Sequence, residues 1–227
     1  MTIRETKADN GFCRPSETWV CRGGRPITHP TGPGGTLVTH PELALEAEFH
    51  LAEAVLTLVY QVQNNAARGV YLLNRLYRTA PAVSLRPEII YVDLAPATKT
   101  VHLAKKLADL PSDRQVNAPV APFVHPLRHG ARFSETVSLP LPLESYQQYQ
   151  GRPSAVRSAT YEAIDFTLGY YWREEGTTED RQTLDGQTLV LPRFAPGRRP
   201  TFGTLRSALV HLRIPVLEPV AQGATNG

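Results

Sequence analysis

Along several stretches of the chain apolar and polar residues alternate with a period of two, the mark of half-buried strands. The pattern is clearest over 132–143, where Phe133, Val137, Leu139, Leu141 and Leu143 share one face and Ser134, Thr136 and Ser138 the other. Over 160–172, Ile164, Phe166, Leu168 and Tyr170 stand against Asp165 and Thr167, which predicts a central strand. Over 205–216, Ala208, Val210, Leu212 and Ile214 stand against Ser207, His211 and Arg213, which predicts the last strand. Residues 70–77 read as a short apolar strand, and 88–94 and 100–107 as a hairpin across 95–98, with Leu103, Leu107 and Leu110 also fitting a brief helical turn.

Two periods compete over 42–63. Leu45, Phe49, Ala52, Leu56 and Val59 fit a helical stripe, whereas Leu43, Leu45, Ala47 and Phe49, then Leu56, Leu58, Tyr60 and Val62, fit two strands. The second half is rich in β-branched and aromatic residues and stops at Asn64-Asn65, so two strands meeting near 51–54 are the expectation.

Proline sharpens the picture at one strand. Pro140 and Pro142 are two apart, so the N–H groups they lack would both have pointed to the same side. That side must be unpaired, which makes this an edge strand or one that leaves its sheet at Leu139. Seven to nine short strands without regular intervening helices predict a mostly β fold, a single antiparallel two-sheet sandwich. The domain is expected over 39–217, after an irregular N-terminal segment at 1–38 broken by Gly and Pro and before a small, polar, flexible tail at 218–227.

The order Leu56-Thr-Leu-Val-Tyr-Gln-Val-Gln-Asn-Asn65, then Val70-Tyr-Leu-Leu-Asn-Arg-Leu-Tyr77, then Arg128-His-Gly-Ala-Arg132, resembles immunoglobulin-like β-sandwich domains of uncharacterised bacterial proteins. The resemblance spans roughly 43–216 and is one of fold. It implies an immunoglobulin-like sandwich and transfers no functional residue; the Cys…Trp…Cys core set of antibody domains is absent.

Composition narrows the function classes. With 227 residues, 41% hydrophobic and 20% charged, the chain can bury one sizeable core. Of its 24 basic residues 20 are Arg and 4 Lys, and the net charge of +3 comes without a basic stripe, so no nucleic-acid partner is expected. The start has no apolar leader run and no apolar stretch is long enough to span a bilayer, so the expectation is a cytoplasmic protein without a membrane partner. Cys13 and Cys21 are expected as free thiols, with a disulfide between them left open.

The chain carries no phosphate loop, G-x-G-x-x-G, G-x-S-x-G or H-E-x-x-H. His125 and His129 are four apart, but Pro126 and Gly130 argue against the helix that would align them on a metal. Cys13, Cys21, His29 and His40 are too widely spaced for a zinc site. Glu174, Glu175, Glu179, Asp180 and Asp185 lack the order of a calcium loop, and Asp165 reads as a hydrogen-bonded structural carboxylate. No catalytic residue, metal or cofactor is expected.

The connection 173–203 is long for a compact domain, with acidic residues first and Arg193, Arg198 and Arg199 after, and a short strand at 187–191. Next to it, alternation sends Tyr170 and Trp172 to one face and Tyr171 to the other. Tyr171, Trp172 and Arg173 have the aromatic-plus-arginine composition of a contact patch, and Tyr146 and Tyr149 near the edge strand form a second one. The function expected is a non-catalytic binding or protein-interaction module, an adaptor, inhibitor or immunity-type protein whose partner is another protein. The alternatives are a hydrolase or metal-dependent enzyme with a dispersed loop site, and a carbohydrate-binding module in which Tyr171 or Trp172 lies flat on a sheet face.

Overall fold

In the computed structural model, residues 38–220 are described except 41, 79–83, 112, 114–115, 117–119, 152, 185 and 199. Cys13, Cys21, His29 and Arg199, and with them the expectations for the N-terminal segment, lie outside the described residues, as does the side chain of His40.

The strands in chain order are β1 (Val38–His40), β2 (Leu43–Ala52), β3 (Val55–Asn64), β4 (Val70–Arg75), β5 (Tyr77–Arg78), β6 (Ser84–Leu85), β7 (Tyr91–Ala95) and β8 (Thr100–Lys105). They continue as β9 (Phe123–Leu127), β10 (Arg132–Pro140), β11 (Leu143–Glu144), β12 (Val156–Trp172), β13 (Thr178–Leu184), β14 (Gln187–Arg193), β15 (Phe202–Arg206) and β16 (Val210–Pro219). No helix occurs among the described residues. The strand period therefore wins over 42–63: β2 and β3 form one hairpin that turns at Glu53, where φ is 51°.

One sheet runs β1-β2-β3-β10, antiparallel throughout. β10 is its edge and ends at Pro140, as the two prolines require. The larger sheet runs β11-β16-β12-β4-β9-β14-β13, with β15 on β12 and the β7–β8 hairpin joined to β12 through β8. Strand β12 is central as expected. One of its sides pairs with β16 and then β15, the other with β8 and then β4.

Two features correct the expectation of an antiparallel fold of seven to nine strands. β8 lies parallel to β12 and β11 parallel to β16, because the chain between β8 and β12 passes through the other sheet and so has the length a parallel crossover needs. Stretches read as single strands are also broken. The 205–216 pattern is two strands, β15 and β16, that step past each other at Ser207, whose hydroxyl accepts from the Phe166 N–H. β16 runs on to Pro219, beyond the expected end at 217, because the buried Glu218 accepts from Arg157, Lys99 and Tyr161.

Both sheets send apolar side chains into one core. Leu56, Leu58, Tyr60 and Val62 from β3 and Val137 and Leu139 from β10 meet Leu72, Val101, Leu103, Phe166 and Leu168 from the larger sheet. The rings of Tyr60 and Phe166 are 4.7 Å apart across the interface. A second cluster, Tyr71, Leu73, Val124 and Val190, lies on the opposite face of β4, β9 and β14. Residues 178–193, expected as loop around a short strand, are thus a seven-residue-per-strand hairpin turning at Gly186 (φ 73°) and extending the sheet beyond β9.

Candidate functional site

The alternation that builds the core also carries polar groups into it. On β3, β4, β8, β9 and β10 the inward phase brings Tyr60, Asn74, Lys105, His125 and Glu135 together between the sheets. The Lys105 side chain is fully buried and its ammonium donates to Glu135 Oε2, which also accepts from the Tyr60 hydroxyl at 2.6 Å. Arg75 Nη1 stands 4.0 Å from the other Glu135 oxygen, and the His125 ring packs 4.3 Å from Phe133.

Burial governs the titration of this group. It pushes the Tyr60 hydroxyl well above its ordinary 10.0, with the Glu135 charge adding to the effect. It pulls Lys105 below its ordinary 10.5, against the opposing pull of Glu135. His125 is lowered by burial first and by the Arg75 charge second. Asn74 is 1% exposed, and its amide lies close enough to the Tyr60 hydroxyl to oppose the rise in that group's pKa, although neither Nδ2 nor Oδ1 makes a hydrogen bond of ordinary geometry among the described residues.

Asn74 and Glu135 border a narrow cleft with Arg75, Leu76, Leu85, Arg86 and Pro87, too tight in this state for a water molecule. Farther along β10 a groove of about 800 Å³ opens, floored by Ile90, Val92, Leu139 and Leu143 and rimmed by Pro140, Leu141, Pro142, Arg78, Glu88 and Tyr146. Cleft and groove share no lining residue, though both draw on β10 and on the chain at 85–92. β10 supplies Glu135 to the first and Leu139 and Pro140 to the second, while the facing chain supplies residues 85–87 and then 88–92. Four residues of extended chain separate Glu135 from Leu139, roughly 13 Å.

Of the residues expected to bind, Tyr146 stands in this groove. Its ring lies 4.5 Å from the Arg78 guanidinium and 6.0 Å from Tyr91, and its backbone exchanges two hydrogen bonds with Val92. Tyr149 points elsewhere and accepts from the Val120 N–H at 2.8 Å. Trp172 is 4% exposed and belongs to the core, with Arg68 stacked 4.0 Å over its ring. Tyr171 is half-buried with its ring edge-on to Phe194 and Phe202. Neither ring forms the flat platform that the carbohydrate reading needs.

The arginines of the expected loop patch are matched by carboxylates. Arg173 and Arg181 approach Glu179 at 3.8 and 2.9 Å, Arg193 Nε donates to Asp180 at 2.6 Å, and Arg198 helps the Thr201 hydrogen bonds hold the Glu174 carboxyl below its ordinary range. This patch and the groove lie toward opposite ends of the larger sheet, by β13 and by β11. The surface expected at 173–203 is therefore a charge-paired hairpin.

A third polar cluster covers the outer face of β12. Asp165, 1% exposed, lies 3.0 Å from His102 Nδ1 and accepts from Arg206 Nε and Nη2, the hydrogen-bonded carboxylate expected at that position. With Asp93, Thr167 and Gln147 these residues line a cavity of about 290 Å³. His125 and His129 do not converge: His125 faces the core, and His129 Nδ1 bonds the Ala66 carbonyl. Among the described residues no three His, Cys, Asp or Glu side chains are placed to hold a metal ion, and no helix is long and apolar enough to cross a membrane.

Sequence reading missed the interior polar group, although its signal is present. Glu135 is in phase with Phe133 and Val137, Lys105 with Val101 and Leu103, and Asn74 with Val70 and Leu72. A charged or amide residue in phase with core positions on several strands marks a buried polar centre. No family model, curated protein or solved structure matches the chain.

Proposed function

We propose that the chain is a non-catalytic binding module of immunoglobulin-like sandwich architecture, working in the cytoplasm and holding an extended segment of a partner protein in the groove along β10. The observation that carries this reading is a groove of about 800 Å³ along the end of β10 whose floor is apolar and whose rim carries Arg78, Glu88 and Tyr146. Sites that recognise a ligand combine apolar surface with a few convergent polar groups, and the groove lies within the usual size range. Pro140 and Pro142 offer the ligand no N–H, so the wall favours side-chain anchoring over simple addition of a strand.

The test replaces Tyr146 with a photo-crosslinking phenylalanine derivative, with the same replacement at exposed Phe202 as control. A partner segment crosslinked from position 146 and absent from position 202, and lost when Leu141→Asp is added, is the expected result. Equal adducts at both positions, or none at 146, overturn the reading.

A second reading, acid–base hydrolysis, is favoured by one observation, the His102–Asp165 pair facing a cavity. An Asp that accepts from Nδ1–H leaves Nε2 as the base. Hydrolysis of p-nitrophenyl acetate at the same rate by the wild type and His102→Gln removes it.

A further inference from the structure

We propose that the open edge of β10 is an interface between two copies of this chain, in which a second β10 adds antiparallel to the first about a two-fold axis at Thr136. The proposal goes beyond the groove reading and does not depend on it.

β10 closes one side of its sheet and, among the described residues, pairs with β3 alone. In an antiparallel pair the backbone groups of successive residues turn to alternate sides. The bonds from Asn64 N–H to the Ala131 carbonyl and from Leu141 N–H to the Ala54 carbonyl fix the phase, so the odd-numbered residues of β10 bond to β3. The N–H and C=O groups of Arg132, Ser134, Thr136 and Ser138 therefore point to the open side, and all four residues are exposed. Proteins that stay monomeric blunt such an edge with a bulge, an outward lysine, a proline or an inward-pointing charge. Here the match with β3 runs from Arg132 to Pro140 without a register shift, and the outward residues at its centre are serine and threonine. Proline enters only at the end, and the inward charge of Glu135 is neutralised by Lys105.

The residues along the edge select the occupant and its register. With Thr136 facing its own copy, Ser134 faces Ser138 and Arg132 faces Pro140, so every open N–H from Arg132 to Ser138 meets a carbonyl. Threonine and serine pairs favour such a ladder, and no like charges oppose each other in it. Moving the axis to Glu135 would set two carboxylates face to face. Moving it to Val137 would set Ser134 against Pro140 and leave the Ser134 carbonyl without a donor. Charge beside the ladder agrees with the axis at Thr136. Exposed Arg86 borders Glu135, and exposed Glu88 follows it in the direction of Leu139 and Pro140. The two-fold inverts that order, bringing Arg86 of one copy level with Glu88 of the other.

The test reads association and register on the full chain. Sedimentation equilibrium in the micromolar range is expected to give a dimer, and Thr136→Lys, which sets two ammonium groups face to face, a monomer with the wild-type circular dichroism spectrum. In a Cys13→Ser, Cys21→Ser background, Thr136→Cys is expected to form a disulfide-linked dimer on mild oxidation, because facing residues of a hydrogen-bonded pair hold their Cα atoms about 5.5 Å apart. Ser134→Cys and Ser138→Cys are each expected to stay uncrosslinked alone and to crosslink when mixed, since each faces only the other. A monomeric wild type overturns the proposal, as does a dimer that Thr136→Lys leaves intact, or crosslinking that is the same for all three cysteine positions. If the lysine variant fails to fold, the cysteine variants still decide. None of these measurements reads the groove, so their failure leaves the crosslinking result at Tyr146 standing, and the reverse holds too.

Discussion

The ammonium of Lys105 on β8 and the carboxylate of Glu135 on β10 form an ion pair that joins the two sheets through the core. With one side chain fully buried and the other 8% exposed, neither charge can return to water if its partner is removed. Breaking such a pair from one side typically costs about 3–5 kcal/mol. Lys105→Met and Glu135→Leu are each expected to lose that much in urea unfolding. Replacing Lys105, Glu135 and Tyr60 together by Met, Leu and Phe should return stability to within about 1 kcal/mol of the wild type or above it, since no buried charge is then stranded. A triple variant as weak as the worst single one would show that the polar group stabilises the fold in its own right.

His125 makes stability depend on pH in a direction that its surroundings set. Burial, then Arg75, keep its folded-state pKa below the ordinary 6.5, with Glu135 pulling partly the other way and Phe133 packed against the ring. The unfolded chain therefore binds a proton between 6.5 and the lowered folded value while the folded chain does not. Stability is expected to fall as pH drops through that window and to level off, for this group, below it. His125→Phe should flatten the slope in that window in denaturant midpoints measured across it. An unchanged slope would assign the dependence to other groups.

The β2–β3 hairpin, the edge at Pro140 and the central place of β12 were legible because each depends on local alternation or on a missing N–H. The parallel match of Ala163–Leu168 on β12 with Thr100–Lys105 on β8 was not, since register between strands so far apart in sequence leaves no local trace. The polar centre was legible in part. Glu135 breaks the serine-free face of its own strand, which a search for apolar alternation passes over, and its meeting with Lys105 and Asn74 depends on how five strands stack. The 178–193 hairpin was hidden for the opposite reason: its charges resemble a solvated loop until Asp180 and Arg193 are seen facing each other across two strands.

Gly203 on β15 has no room for a side chain, because a Cβ there would collide with the ring of Tyr170, which packs against Trp172 in the core. Gly203→Ala is expected to cost about 1–3 kcal/mol by overpacking. Gly130 is the contrast. Nothing lies within 4 Å of its would-be Cβ, but its φ of 71° is left-handed, so Gly130→Ala should cost only the backbone term, about 1 kcal/mol. Thermal melting of the two variants checks the order, and a Gly203→Ala protein as stable as the wild type would show that Tyr170 can move aside freely.

The 178–193 hairpin is bound to the domain by apolar contact more than by charge. Leu189 and Val190 are buried, and Val190 packs with Tyr71, Leu73 and Val124 on the outer face of β4 and β9. Exposing two such side chains costs roughly 3–6 kcal/mol at about 1.5–3 each, before any loss at Tyr71, whose hydroxyl donates to Glu179. That is a large share of the roughly 5–15 kcal/mol that holds a domain folded. Replacing residues 178–193 by a short Gly/Ser linker is therefore expected to lower the melting temperature sharply and to raise binding of a hydrophobic dye at the uncovered face. Arg193→Ala removes only an exposed ion pair and should cost less than about 1 kcal/mol. If the shortened protein melts with the wild type, the hairpin is an appendage after all, and the charged patch around Arg173 and Arg193 regains its claim as the contact surface.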